Sequence, residues 1–236
     1  RVVDEMELVR ERYNKDLIWF GDDTFNLSRE RNVAICREII ERDLDVHWGM
    51  EARADLLVRD KDLIGLMKEA GLFWVLVGVE GVSDAELRRY GKNLTLSQVK
   101  EAFKVLRDHD IITQAMFVIG ERKDTRETIL AKEELAEELG ADFAIFTPLT
   151  PFPGTPLYEE AMKKGWIEVH DWSKYDLAHV IMPTETLSRR EVHSLMLACY
   201  RRFFLRPLKL LKGLTSCNRF RRAVNAYFLR RMIFGR

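Results

Sequence analysis

The stretch FWVLVGVEG, Phe73 to Gly81, decides the fold. Seven residues in a row, Phe73–Val79, are apolar or glycine, and the run ends at a carboxylate, Glu80. A strand that is apolar on both faces is one covered on both, as in a parallel sheet packed under helices. Four other runs behave alike: Leu17–Phe20, Val46–Met50, Ile111–Ile119 and Phe143–Thr147. Their starts are about 28 to 38 residues apart, the length of a strand–helix–strand unit.

Helix signals fill the intervals. Ser28 is placed to cap a helix running to Arg42. Asp60 precedes KDLIGLMKEAG, in which Gly71 suits a left-handed C-terminal cap. Ser83–Glu86 and Thr95–Gln98 have capping-box spacing, and Asp124 with Glu127 opens a long helix ending at Gly140. Thr155–Pro156 is a cap followed by proline in the first turn. Alternating strands and helices predict an α/β fold, either a doubly wound sheet or a barrel. In both, ligands gather at the C-terminal ends of the strands.

Those ends are polar in every unit. Asp22 and Asp23 follow the first strand, and Glu51 and Arg53 the second. Glu80 follows the third, Gly120 and Glu121 the fourth, and PLTPFPGTP, Pro148 to Pro156, the fifth. Such a rim suits a ligand bearing both an amine and a carboxylate. Asp22 or Asp23 would accept from an ammonium, Arg53 would fork onto a carboxylate, and Glu80 would accept from sugar hydroxyls. The competing structural reading is that the acids cap the following helices and that Arg53 pairs with Glu51, Asp55 or Glu80.

Composition bounds the rest. Apolar residues make up 47% of 236 and charged residues 32%, enough for a core. The 38 bases balance 38 acids, but from Leu187 to Arg236 there are 13 Lys/Arg against one acid, Glu191. An acidic body therefore carries a basic tail. Its sequence reads as a helix to about Leu205, broken at Pro207 and resumed, with apolar residues every three or four positions. That stripe is expected to pack on the body. Contact with an acidic membrane surface is the second reading, and no nucleic-acid partner is expected. No apolar stretch reaches the roughly 18 residues of a membrane span, and no signal peptide is visible. Cys36, Cys199 and Cys217 have neither disulfide nor metal spacing, so a reducing cytoplasm fits. The five histidines lack HxH or HExxH spacing, so no metal site is expected; His47, beside Trp48, reads as packed core, whereas Tyr175 and His179 are candidates to line a substrate cavity. The chain begins at Arg1 rather than Met and is expected to be a fragment or processed product.

At FGDDTF, GVEG and TPFPGTPLYE, in this order and spacing, the chain resembles the catalytic domain of radical S-adenosylmethionine (SAM) enzymes. The similarity is greatest to the cobalamin-binding branch that includes the anaerobic magnesium-protoporphyrin monomethyl ester cyclases. Asp22, Asp23, Thr24 and Phe25 match an Asp-Asp-x-Phe signature after that family's second strand. Ala70–Gly71 with Gly78–Val79–Glu80 match a further segment, and Lys92 a lysine shortly after it. Asp110–Ile111, Phe117–Gly120 and Asp124–Thr128 match loosely. The resemblance covers about residues 15–185 and continues weakly into the tail.

The resemblance implies a partial (β/α) TIM-type barrel, strands 2–6 of a radical SAM barrel, over residues 1–185, with a basic helical region over 186–236. It implies SAM as cofactor and a [4Fe-4S] cluster whose CxxxCxxC ligands lie upstream, because none of the three cysteines here fits that motif. Cobalamin would belong to a further upstream domain. The implied chemistry is C–H functionalisation, such as oxidative cyclisation or methylation, through a 5′-deoxyadenosyl radical. By this resemblance Asp22 and Asp23 bind the amino group of SAM, Arg53 its carboxylate, Glu80 the ribose, and the backbone at Gly120 and Thr147–Leu149 the adenine. A small-molecule substrate, porphyrin-like or lipid, and an electron donor such as flavodoxin or ferredoxin are the implied partners. As given, the chain is expected to be inactive. A catalytically dead barrel serving as a binding or scaffold module is the alternative. An ordinary lyase or aldolase barrel would need a rim lysine or metal ligands, and Lys123 has no partner pattern for that.

Overall fold

The computed structural model describes residues 1–90 and 94–234. In chain order it runs α1 (Val2–Tyr13), β1 (Leu17–Trp19), α2 (Arg29–Glu41), β2 (His47–Ala52), α3 (Ala54–Arg59), α4 (Ile64–Glu69), β3 (Leu72–Glu80), α5 (Asp84–Arg89) and α6 (Leu96–Asp108). It continues through β4 (Ile112–Ile119), α7 (Arg126–Glu138), β5 (Phe143–Pro148), α8 (Pro156–Lys163), α9 (Arg189–Phe204), α10 (Pro207–Leu214) and α11 (Arg219–Phe234). All five strand runs read from the sequence form strands.

Every neighbouring pair of strands is parallel, and the spatial order is the chain order, β1-β2-β3-β4-β5. That order separates the two architectures left open by periodicity. Right-handed crossovers that always step the same way place the crossover helices on one face and curl the sheet, which gives a half-barrel rather than a doubly wound sheet. Burial follows. Val75, Val77 and Val79 of β3 are fully buried under helices, while Trp74, Leu76 and Glu80 are only half-buried on the concave face. The strands thus alternate in exposure although they do not alternate in polarity, as the partial-barrel expectation requires.

The helix starts obey local chemistry with two corrections. Ser28, Ser83, Thr95 and Thr155 each accept from the backbone N–H three residues on. Gly71 has φ 99°, and a Cβ there would stand 2.1 Å from the Val46 carbonyl, so only glycine closes α4 onto β2. Asp60 makes no cap, however. Its buried carboxylate takes Arg59 and Arg29 instead. The long helix α7 is capped by Thr125 with Thr128 rather than by Asp124 with Glu127. Asp124 is spent on Lys132, at 2.9 Å, with both side chains at most 2% exposed.

The sheet ends on β5, whose free edge is closed by a side chain. The Tyr200 hydroxyl of α9 accepts from the Phe146 N–H at 3.1 Å and donates to the Phe146 carbonyl at 3.3 Å, as a neighbouring strand would. Helix α9 belongs to the barrel core through Val192, Leu195, Met196, Cys199 and Phe203. Further along the tail, Phe220 packs on His47 and Phe73, and Arg221 pairs with Asp110 and Asp142. His47 is half-buried, and burial followed by the nearby Arg219 charge holds its imidazole below the usual histidine range.

Candidate active site

The strand ends place the rim residues on one edge of the sheet. In the parallel register Glu80 lies beside Phe117, and Ile119 beside Pro148. Asp22, Asp23, Arg53, Glu80, Gly120, Thr147 and Leu149 therefore all follow or end their strands at the same side. At about 4.8 Å per strand, the five units span some 19 Å of arc.

The loop after β1 is built by burying its aromatic and exposing its acids. Phe25 is 1% exposed, wedged against Phe20 and Trp48 at ring separations of 4.5 and 5.4 Å. That anchor leaves Gly21, Asp22 and Asp23 in solvent. Arg31 of α2 lies over the Phe25 ring and reaches Asp22 at 3.5 Å. Asp23 has no ion-pair partner among the described residues, and it approaches Glu51 from β2. Burial, then the Asp23 charge, pushes the Glu51 carboxyl above its ordinary value. The ends of the first two strands thus carry three carboxylates, of which Asp22 meets Arg31.

Asn26, 2% exposed, fastens this loop to β2. Its Nδ2 donates to the Arg53 carbonyl, and its Oδ1 accepts from the Arg53 N–H, both at 3.1 Å. Sequence reading missed Asn26; its only signal was an amide directly after the Asp-Asp-x-Phe run. The Arg53 side chain forks onto Asp55 at 3.1 and 2.9 Å. Of the competing structural partners for Arg53, Asp55 is the one it meets, and a ligand carboxylate would share the guanidinium with it.

At the end of β3, Glu80 has φ 67°, a left-handed conformation that costs a non-glycine residue on the order of 1 kcal/mol. The turn is held by Glu86, whose Oε2 accepts from the Val82 N–H at 2.6 Å. A Cβ on Gly81 would lie 2.6 Å from Glu86, so the second glycine of GVEG makes room for this contact. Lys92 lies outside the described residues.

Beyond β4, Gly120 has φ 76°, and a Cβ there would press Val192 of α9 at 3.1 Å. Burial pushes the neighbouring Glu121 carboxyl up, but the facing Tyr90 hydroxyl and Arg89, at 2.8 Å, outweigh it and hold it below its ordinary value. The Asp124 carboxylate accepts from the Glu121 N–H at 3.1 Å while holding Lys132, so a buried ion pair sets this loop. On β5, the Thr147 hydroxyl donates to the Phe117 carbonyl at 3.2 Å, and the Leu149 N–H donates to the Ile119 carbonyl at 2.8 Å. Leu149 thus has its backbone donor engaged within the sheet.

The cysteines do not fit an iron–sulfur cluster. Burial pushes the thiols of Cys36 and Cys199 up to about 12, the reverse of what a thiolate ligand needs. Cys217 is exposed near the start of α11. Among the described residues no group of three or more metal-ligating side chains converges. Of the cavity candidates, His179 lines a pocket beside α9, whereas Tyr175 packs on Trp172 and donates to the Val169 carbonyl.

The profile of the radical SAM superfamily matches residues 1–132. The anaerobic magnesium-protoporphyrin IX monomethyl ester cyclase of Rubrivivax gelatinosus is 32% identical over 205 residues, which cover 87% of this chain and 37% of that protein. An uncharacterised methyltransferase of Pyrococcus horikoshii is 31% identical over 214 residues, covering 91% of this chain and 46% of its own. The radical SAM methyltransferase TsrM of Kitasatospora setae, solved with cobalamin and a [4Fe-4S] cluster, superposes with a TM-score of 0.59 at 22% identity, over 82% of this chain and 40% of that one. The chain thus spans about a third of the length of the cyclases it matches.

Proposed function

The chain belongs to the radical SAM superfamily, and from that premise we propose that it is the SAM-binding half-barrel of an enzyme that functionalises unactivated C–H bonds, by oxidative cyclisation or methylation. The observation that carries this reading is the acidic pair at the first two strand ends: Asp23, without a cation, beside Glu51 with its raised carboxyl. An ammonium seated there relieves the repulsion and favours both charged forms. In this reading Asp22 and Asp23 hold the amino group of SAM, and Arg53 shares its fork between Asp55 and the carboxylate. Glu80 receives the ribose hydroxyls, and the backbone at Gly120, Thr147 and Leu149 meets the adenine. Bound SAM supplies the radical or the methyl group, while these residues orient it and the concave face excludes water.

The thiolates for a [4Fe-4S] cluster are proposed to lie in sequence outside these 236 residues, as are any cobalamin contacts. By itself the chain is inactive. A reducing cytoplasm, a flavodoxin- or ferredoxin-type donor and a porphyrin-like substrate accompany the reading. Peripheral membrane contact would use Leu208 and Leu211 of α10, which are 75% and 57% exposed beside Lys212. Loss of liposome co-sedimentation in a Leu208→Glu/Leu211→Glu variant would support that contact, and unchanged sedimentation would remove it.

The test is anaerobic reconstitution with iron and sulfide. The 236-residue chain is expected to hold no cluster, and a longer chain containing CxxxCxxC about four irons with reductive SAM cleavage. A longer chain that holds neither cluster nor SAM would favour the scaffold module.

A further inference from the structure

The basic tail lies across the N-terminal ends of the strands, the end opposite the rim. Phe220 packs on His47 and Phe73, at the starts of β2 and β3. Arg221 pairs with Asp110 and Asp142, which precede β4 and β5, and the Lys209 Nζ donates to the Ala141 carbonyl at 2.8 Å. Strand β5 has 6 residues, so about 20 Å of strand separates this end from the rim.

One face of α10 holds it there. Lys209 meets Glu137 at 3.1 Å, and at Gly213, one turn on, a Cβ would collide with Asn225 of α11. Leu208, Leu211 and Lys212 share another face by helical spacing, and the two leucines are 75% and 57% exposed. Leu205, just after α9, is 54% exposed. The acids of α7 on this side are already matched. Arg202 and Arg206 hold Glu133, and Arg206 and Lys209 hold Glu137. Lys212 and, one turn before Leu205, Arg201 make no hydrogen bond or ion pair among the described residues. From Leu205 to Arg236 the sequence has nine Lys/Arg and no acid.

Beside the end of α9 an apolar chamber of about 560 Å³ opens, walled by Trp74, Phe143, Phe204 and Phe228, with Arg201 and Leu205 also lining it. Trp74 and Phe143 stack at 5.0 Å, and Phe228 lies 5.6 Å from both Phe143 and Phe204. Bare leucines suit the acyl region of a bilayer, and unpaired cations suit its anionic headgroups. A chamber of ring faces takes an acyl chain and offers an acidic protein nothing to pair with.

We infer that this end of the half-barrel docks on an anionic bilayer. Leu208 and Leu211 enter the acyl boundary, Lys212 and Arg201 sit at headgroup level, and the rim faces away from the lipid. The inference rests on the peripheral contact proposed above and adds the charge of its lipid and its side of the barrel.

The experiment attaches an NBD fluorophore to Cys217, between α10 and α11, the exposed thiol of the three. The labelled 236-residue chain is titrated with vesicles of phosphatidylcholine alone and of equal parts phosphatidylcholine and phosphatidylserine. A blue shift is expected with the anionic vesicles and none with the neutral ones. The same label on a Gly21→Cys/Cys217→Ser variant, at the exposed rim position where a Cβ meets nothing, is expected to stay in water. Arg201→Ala/Lys212→Ala is expected to weaken anionic-vesicle binding by about tenfold or more, and Leu208→Ser/Leu211→Ser to weaken it as well. Equal shifts on both vesicle types, a shift at the rim label, or unchanged affinity in the cation variant would overturn the inference while leaving a contact of another kind. No binding to either vesicle would remove the contact itself, and binding to polyglutamate in its place would point to an acidic protein. SAM calorimetry on the same variants is expected to match wild type, so failure of the SAM reading would show separately.

Discussion

Asn26 and Arg53 exchange two backbone-directed hydrogen bonds of 3.1 Å across the ends of β1 and β2. The amide is buried, and both Arg53 backbone groups depend on it. Truncating it leaves a buried donor and acceptor unpaired. Asn26→Ala is therefore expected to lower stability by about 1–3 kcal/mol, read by urea unfolding. It would also release the loop that carries Asp22 and Asp23. A variant as stable as wild type would show that water replaces the amide and that the loop does not need this tie.

Glu51 gives a pH signature. Its folded carboxyl lies above the ordinary 4.5 because of burial and then Asp23. The folded state therefore binds a proton more tightly than the unfolded state does. Stability attributable to this group is present below the unfolded value and is lost as pH rises through the folded one. Glu51→Gln should raise the melting temperature relative to wild type at about pH 7 and lose that advantage near pH 4. An equal difference at both pH values would mean that the effect is packing rather than charge.

The Asp124–Lys132 pair is nearly water-free, and it also holds the Glu121 N–H. Removing only the lysine strands a buried carboxylate. Lys132→Met is expected to cost about 3–5 kcal/mol, and adding Asp124→Asn to recover much of it. Chemical denaturation of the single and double variants reads this directly, and additive losses would contradict the coupling.

The strand ends were legible because each apolar run stops at a charge or a glycine, a change that survives any tertiary detail. Most caps were legible for the same local reason. Asp124 was misread because Lys132, eight residues away, competes for it with the helix end, and that pairing depends on burial that spacing does not encode. Asp60 failed likewise, drawn off by Arg29 of another helix. Helix α1 was missed because only Val3 and Met6 of its twelve residues are buried, too few to make a visible stripe. The single covered face of the sheet could not be read from strands that are apolar on both sides. At the site, the shared edge was predictable and Asp55 stood among the partners read for Arg53, whereas the choice of Asp55 and the Asn26 tie needed the folded chain.

The most direct measurement compares SAM with 5′-methylthioadenosine, which lacks the amino and carboxylate groups, by calorimetry on the wild-type chain and on Asp22→Ala/Asp23→Ala. An ammonium site at Asp22 and Asp23 predicts that wild type prefers SAM by about tenfold or more and that the double variant loses most of the preference, keeping the part that Arg53 supplies through the carboxylate and its affinity for methylthioadenosine. A preference for SAM that persists undiminished without both aspartates would contradict it.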